Sequence, residues 1–247
     1  MTLADFFGQH PKAALAFSGG VDSAYLLYAG RRLGADLRPY CVESAFQPAF
    51  EREDVASLSR LLGVETQFIQ ADILSVPGVA ENPADRCYLC KRALFTALGD
   101  RAAADGYPLV LDGTNASDDA GDRPGMRALK ELGVRSPLRE AGLTKPEIRR
   151  LSREAGLPTW SKPAYACLAT RVPTGQPITL VLLRRVEGAE QALFDLGYTD
   201  FRVRVFHDAA RLQLPEDQLA RAAGEHEALR AALKPYFDTV LLDMEGR

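Results

Sequence analysis

The chain has 247 residues, with Lys+Arg 30 against Asp+Glu 33 for a net charge of -3, and is 47% hydrophobic and 26% charged. That balance is the profile of a soluble globular protein with one large domain or two modest ones, and it argues against broad nucleic-acid coating. With no run of about eighteen uncharged apolar residues, and no basic-then-apolar leader in MTLADFFGQHPK, neither a membrane span nor a secretory signal is expected, and a cytoplasmic location follows.

In chain order, residues 13–17 (AALAF) form a short continuous apolar run, as a strand covered on both faces would. A helix is expected over 22–33, stopped by Gly34. A strand follows at 38–42, then a helix at 50–62 stopped by Gly63, and a strand at 65–69. Helix-forming residues run over 87–104, and PLVL at 108–111 is a fourth strand. Thr144 to Glu147 is a capping box with Pro146 in the first turn, opening a helix that ends before Gly156. Repeated β-α-β units of this length imply an α/β fold with a parallel sheet and helices on both faces.

The pattern breaks over 159–178, where Pro163, Pro173, Pro177 and Gly175 mark a functional loop or linker. Beyond it are a helix (180–196), a hairpin of strands 201–206 and 211–214 around His207-Asp208, a helix (218–233) and a strand (239–243). The expected division is a first domain over 1–165 and a small α+β domain over 166–247.

Phe17-Ser18-Gly19-Gly20-Val21-Asp22-Ser23 sits between the first strand and the first helix. Two glycines let backbone approach a ligand, and a helix start offers unpaired N–H groups and the positive end of the dipole, which suits phosphate. Ser18 and Ser23 add hydroxyls. Asp22 would repel a bare phosphate, so it makes sense holding Mg²⁺ against one. SGG alone would fit a capped turn; the whole SGGVDS fits a phosphate loop, and neither GxxxxGK[ST] nor GxGxxG occurs. Asp112-Gly113-Thr114-Asn115 ends the fourth strand, so it faces the same crevice at the carboxyl ends of the strands. Asp118 and Arg123 in the run that follows are weaker candidates, since such a run also fits a solvated loop.

Cys87-Tyr-Leu-Cys90-Lys91 places a CxxC at a helix start, where thiolates are favoured, and Cys167 lies in the Pro-rich loop. Two ligands on one turn plus a distant third make a workable metal site; a redox disulfide or unconnected thiols are the alternatives. Cys41, inside an apolar strand, reads as a small buried hydrophobe.

SGGVDS resembles the PP-loop of the ATP pyrophosphatases, which split ATP between the α and β phosphates. Together with CYLCK at 87–91, DGTNASD at 112–118, RPG at 123–125, KPAYACLATRVPTG at 162–175 and FRVR at 201–204, it resembles the LarE family, the ATP-dependent sulfur transferases of nickel-pincer nucleotide synthesis. The resemblance spans nearly the whole chain, and its last two motifs are the most diagnostic. It implies a PP-loop domain followed by a smaller α+β domain. ATP would be held by Ser18, Gly19, Gly20, Asp22, Ser23, Gly113, Thr114 and Asn115. Each carboxylate of a pyridinium biscarboxylic acid mononucleotide would be adenylated and converted to a thiocarboxylate.

Members with a single cysteine at the position of Cys167 sacrifice its sulfur. Members with the CxxC as well hold a [4Fe-4S] cluster on three cysteines, which implies Cys87, Cys90 and Cys167 here. An open iron then carries the extra sulfide. Arg202 and Arg204, on one face of a strand, fit the substrate's phosphate, and Asp118 and Arg123 are further substrate-binding candidates; without the resemblance a solvated strand face is the plainer reading of the two arginines. The family also places acidic residues of the smaller domain at a further metal. Glu190 matches one, whereas Gln213 stands where a carboxylate is expected. Trp160 and Tyr165 fit a pyridinium ring or plain packing. A sulfide donor and a homo-oligomer are implied partners. A tRNA thiolase would call for a basic surface, an amide-forming synthetase for an ammonia source, and a non-enzymatic ATP-binding regulator would leave the cysteines idle.

Overall fold

The computed structural model describes residues 1–118 and 124–246, so Arg123 lies outside the described residues. The chain divides into two compact units, residues 1–76 with 85–162, and residues 77–84 with 163–247. The excursion at 77–84 is a feature that a single cut after residue 165 omits.

The first unit is α/β, as expected. Its helices are α1 (Leu3–Gln9), α2 (Val21–Arg32), α3 (Ala49–Leu62), α4 (Arg86–Ala104), α5 (Pro124–Glu131), α6 (Pro137–Glu140) and α7 (Lys145–Glu154). Its strands β1 (Lys12–Ala16), β2 (Asp36–Glu43), β3 (Gln67–Gln70) and β4 (Val110–Leu111) lie in the order β3-β2-β1-β4, all parallel. β1 is central, and Ala13, Ala14 and Leu15 are wholly buried, which is why its sequence is apolar rather than alternating. Phe6, Phe7, Leu26, Leu27, Leu37 and Val55 pack on one side of the sheet. Tyr40, Leu98, Ala102 and Tyr107 form a second cluster.

The expected stops hold. Gly63 caps α3 in the left-handed region at φ 59°, and Gly156 follows α7 at φ 70°. Glu147 accepts from the Thr144 N–H (2.9 Å) and hydroxyl (2.6 Å) at the start of α7. α1 escapes the sequence reading although it carries its own box, with Thr2 and Asp5 exchanging bonds of 2.8 and 3.1 Å.

In the second unit, α8 (Leu180–Asp195) lies with a three-stranded sheet of β5 (Arg202–Phe206), β6 (Ala209–Gln213) and β7 (Val240–Leu242), order β5-β6-β7. β5 and β6 form the expected hairpin, and His207 turns it at φ 54°. The single helix expected over 218–233 is two, α9 (Glu216–Gly224) and α10 (His226–Leu233). The break falls at Glu225, whose carboxylate is held by the Tyr198 hydroxyl (2.9 Å) and the Arg221 Nε (3.0 Å). Asn82, in the excursion, is buried and donates to the carbonyls of Pro173 (2.8 Å) and Gln176 (3.1 Å), fastening the Pro-rich loop.

Candidate active site

The carboxyl ends of β1 and β4 open onto a cavity of about 360 Å³ within the first unit. Ser18, Gly20, Asp22, Ser23, Gly113, Thr114 and Asp118 all line it. Gly19 and Asn115 stand behind that wall, both buried. Gly19 has φ +68°, and a Cβ there would lie 3.0 Å from Val55 Cγ2, so only glycine makes this turn without strain. A Cβ on Gly113 would lie 3.1 Å from the Ser23 nitrogen and 3.2 Å from Asp22 Cβ, so glycine lets the two loops touch. Gly20 differs, because a Cβ there would meet only Ser18 Oγ at 3.4 Å.

α2 begins at Gly20 with no side chain capping its first turn. The donors of that turn thus have no side-chain cap, as a phosphate site at a helix start requires. Ser18 and Ser23 hydroxyls meet at 3.3 Å beside them. Asp112 accepts from the hydroxyls of Thr114 and Ser136 (2.6 Å to the latter), which fixes the second loop. Asn115 donates to Asp22 Oδ1 at 3.5 Å and takes the Asp118 carboxylate on its own N–H at 2.9 Å.

Three lysines that the sequence motifs contain, but that sequence reasoning gives no role, stand at this site. Lys91 lines the cavity from α4. Lys145 pairs with Asp22. Lys162 bonds the Gly19 carbonyl at 3.3 Å and Asp54 at 2.7 Å. One signal was available: Lys145 is the first residue of α7, where the dipole disfavours a cation, so a nearby anion was implied. Burial pushes the Asp22 carboxyl above its ordinary range, against the pull of Lys145, and the charge of Asp118 adds to the rise. Two carboxylates this close suit a hard divalent cation, which Mg²⁺ sites commonly take from one or two carboxylates plus phosphate oxygens.

α4 places Cys87, Lys91, Leu94 and Leu98 at helical spacing, so the cavity-facing stripe continues back into the CxxC. Cys87 is exposed and Cys90 half-buried on α4, and Cys167 is exposed in the second unit; all four cysteines are thiols. Among the described residues, no three His, Cys, Asp or Glu side chains are gathered as a metal-holding group. Cys41 is buried, as expected, and its thiol is pushed up to about 11, chiefly by burial.

In the second unit Arg202 and Arg204 do not form a solvated strand face. Arg202 is 5% exposed and donates to the carbonyls of Phe201 (2.6 Å) and Ala164 (2.8 Å). Arg204 donates to the Thr170 carbonyl at 2.7 Å and to Gln213, and it lines a second cavity of about 540 Å³ with Arg211, His207 and Thr170. Tyr165 has two guanidinium groups over its ring, Arg171 at 4.5 Å and Arg202 at 5.0 Å from its centroid; in the first unit Arg153 sits 4.9 Å over Trp160. Burial and the Glu190 charge push the Tyr165 hydroxyl well up, so it stays a donor.

No protein-family model matches the chain. It is 35% identical to the pyridinium-3,5-bisthiocarboxylic acid mononucleotide synthase of Lactiplantibacillus plantarum, over 95% of this chain and 86% of that one. The chain belongs to that family, the LarE family. An uncharacterised protein of Synechocystis is 38% identical over 99% of this chain and 92% of its own length. A GMP synthase of Aeropyrum pernix is 31% identical over 72% of this chain and 38% of its own. The parallel sheet and its glycine-rich first loop are thus the PP-loop fold that LarE proteins were expected to share. No helix among the described residues is long and apolar enough to cross a membrane.

Proposed function

We propose that this LarE protein is an ATP-dependent sulfur transferase that converts the carboxylates of a pyridinium-3,5-biscarboxylic acid mononucleotide to thiocarboxylates. The reading is carried by the uncapped start of α2 opening into the cavity, in a chain 35% identical to a synthase of the bisthiocarboxylic acid mononucleotide. The pyrophosphate portion of ATP lies on the Ser18–Ser23 turn, and the adenine against the apolar wall of Val42, Phe95 and Leu98. Asp22 and Asp118 would hold Mg²⁺, which supplies charge neutralisation on the phosphates, and Lys145 is paired with Asp22 beside them.

A substrate carboxylate oxygen attacks the α-phosphorus and pyrophosphate leaves. Sulfide then attacks the acyl carbon, the acyl–oxygen bond breaks and AMP departs. Positioning of the two reactants by the loop dominates the first step. Cys87, Cys90 and Cys167 have the thiolate chemistry a [4Fe-4S] cluster needs, and such a cluster supplies transferable sulfide when bound. The substrate phosphate takes the cavity of Arg204 and Arg211, where the planar forks suit phosphate oxygens.

A second reading within the family starts from the exposed Cys167 thiol. In it Cys167 alone gives up its sulfur and becomes dehydroalanine. Anaerobic reconstitution with iron and sulfide, then thiolation of the pyridinium mononucleotide with ATP, tests both. Repeated turnover with Cys167 intact supports the cluster. One turnover with Cys167 short of the elements of H₂S supports the sacrifice. No ATP-dependent thiolation under either condition overturns the function.

A further inference from the structure

Residues 162–167, which lead to Cys167, have no regular secondary structure. Their carbonyls are fixed instead by guanidinium groups. Arg202 Nη2 donates to Ala164 O at 2.8 Å, and Arg171 Nη1 donates to Ala166 O at 2.9 Å and reaches Cys167 O at 3.5 Å. Arg171 is fully buried, and its charge is met by Glu190 of α8, itself 2% exposed.

The Glu190 carboxylate is saturated. Oε1 accepts from Arg171 Nε at 2.7 Å and from the Val203 N–H at 2.9 Å; Oε2 accepts from Arg171 Nη2 at 3.1 Å and from the Tyr165 hydroxyl. An ionised carboxylate offers about four lone-pair positions, and all are used. A cation at Glu190 would have to displace one of these bonds. Gln213, whose Nε2 donates to Asp243 at 2.9 Å, brings an amide where the further metal of the family needs a carboxylate. The acidic metal site that the resemblance implies does not fit these residues.

We propose that Arg171 and Glu190 are positioning residues that hold the Cys167 loop for sulfur transfer, and that Glu190 serves this pair and not a metal ion. The link to sulfur transfer rests on the function proposed above; the loop-holding role does not. An ion pair of this kind fixes geometry through two parallel bonds, and a buried pair is sensitive to loss of one partner but tolerates replacement of both by apolar groups.

The test compares Arg171→Met/Glu190→Leu, Glu190→Gln and Arg171→Lys in the full chain. The double variant is expected to melt cooperatively and bind ATP as the parent does. Its amides at 163–170 should exchange faster, and its sulfur transfer should fall by roughly tenfold or more, the scale of one lost charge-assisted hydrogen bond. Glu190→Gln, which keeps the shape, should move the same two readouts should the double variant fail to fold. Arg171→Lys should recover little, since an ammonium cannot reach both carboxylate oxygens and the Ala166 carbonyl together. Unchanged exchange and unchanged transfer in a folded variant overturn the proposal. So does Mn²⁺ binding to the parent that Glu190→Gln abolishes. Absence of sulfur transfer in the parent sinks the function instead, and the exchange readout still decides the loop-holding role.

Discussion

The two chemical regions of this LarE protein are built on opposite plans. The nucleotide cavity is made by backbone: two strand ends, glycines at 19, 20 and 113, and an uncapped helix start. The Cys167 loop has no such frame and hangs on buried side-chain charge from partners 4 to 38 residues away. A backbone site keeps its shape when one side chain changes, but is blocked by any added atom that fills the ligand's space. A site held by side-chain charge fails in the reverse way, tolerating bulk at its edge and failing when one partner goes.

The largest expected effect separates the regions outright. Cys167→Ala should abolish sulfur transfer and leave ATP affinity unchanged by calorimetry. Cys87→Ala and Cys90→Ala should do the same under the cluster reading, whereas a single remaining turnover in Cys87→Ala would favour sacrifice at Cys167. Next is Gly20→Val. A Cβ at this position has room in the protein itself, so the melting temperature should hold while ATP binding is lost. Normal ATP affinity in a folded Gly20→Val protein would remove the phosphate loop from the account.

A pH dependence sharpens the contrast. Asp22 is held above the ordinary carboxylate range by burial. Its folded form binds the proton more tightly than the unfolded chain, so it costs stability as pH rises from the ordinary carboxylate value through the raised one. Mg²⁺-dependent ATP binding needs the ionised form and should weaken as pH falls through the same window. Asp22→Asn should flatten both trends, at a cost to the Mg²⁺-dependent step. Melting curves and ATP titrations over an acidic pH series check the two signs separately. Smaller again, Arg204→Ala or Arg211→Ala should raise the substrate KM by roughly tenfold, for a charge-assisted phosphate bond of about 1.5–3 kcal/mol, with little change in the ATP KM. A shift in the ATP KM alone would mean the wrong ligand had been assigned to that cavity.

The two plans also explain what was legible in the sequence. Ser18–Ser23 and Asp112–Asn115 could be read because a strand, a glycine turn and a helix start are local patterns that carry their own chemistry. Lys145 could not be read as the partner of Asp22, since 123 residues separate them and its place at a helix start asks for an anion without naming which. The two-residue alternation of its strand put Arg202 on one face with Arg204, and nothing in it says whether that face is covered. Arg202 is buried because its face of β5 is covered by the Cys167 loop, which has no periodicity to announce it. Glu190 was matched to the family's acidic metal site by the resemblance alone, and nothing near it in sequence names Arg171.

The smallest effect concerns the one cysteine placed by backbone rather than by chemistry. Cys41 is on β2, 3% exposed, and lines the nucleotide cavity. With its thiol near 11, raised by burial against a contact from Gln47 at 3.8 Å, only about one molecule in a thousand carries the thiolate at pH 8. Cys87 and Cys167 are exposed. Alkylation of the folded protein read by peptide mass spectrometry should therefore label those two first and Cys41 only on unfolding. Cys41→Ala should leave sulfur transfer intact and cost about 1 kcal/mol for the lost sulfur contacts, a melting shift of about 2–4 °C in a chain of this size. Rapid labelling of Cys41 in the folded protein, or loss of sulfur transfer in Cys41→Ala, would move this thiol from the wall of the cavity into its chemistry.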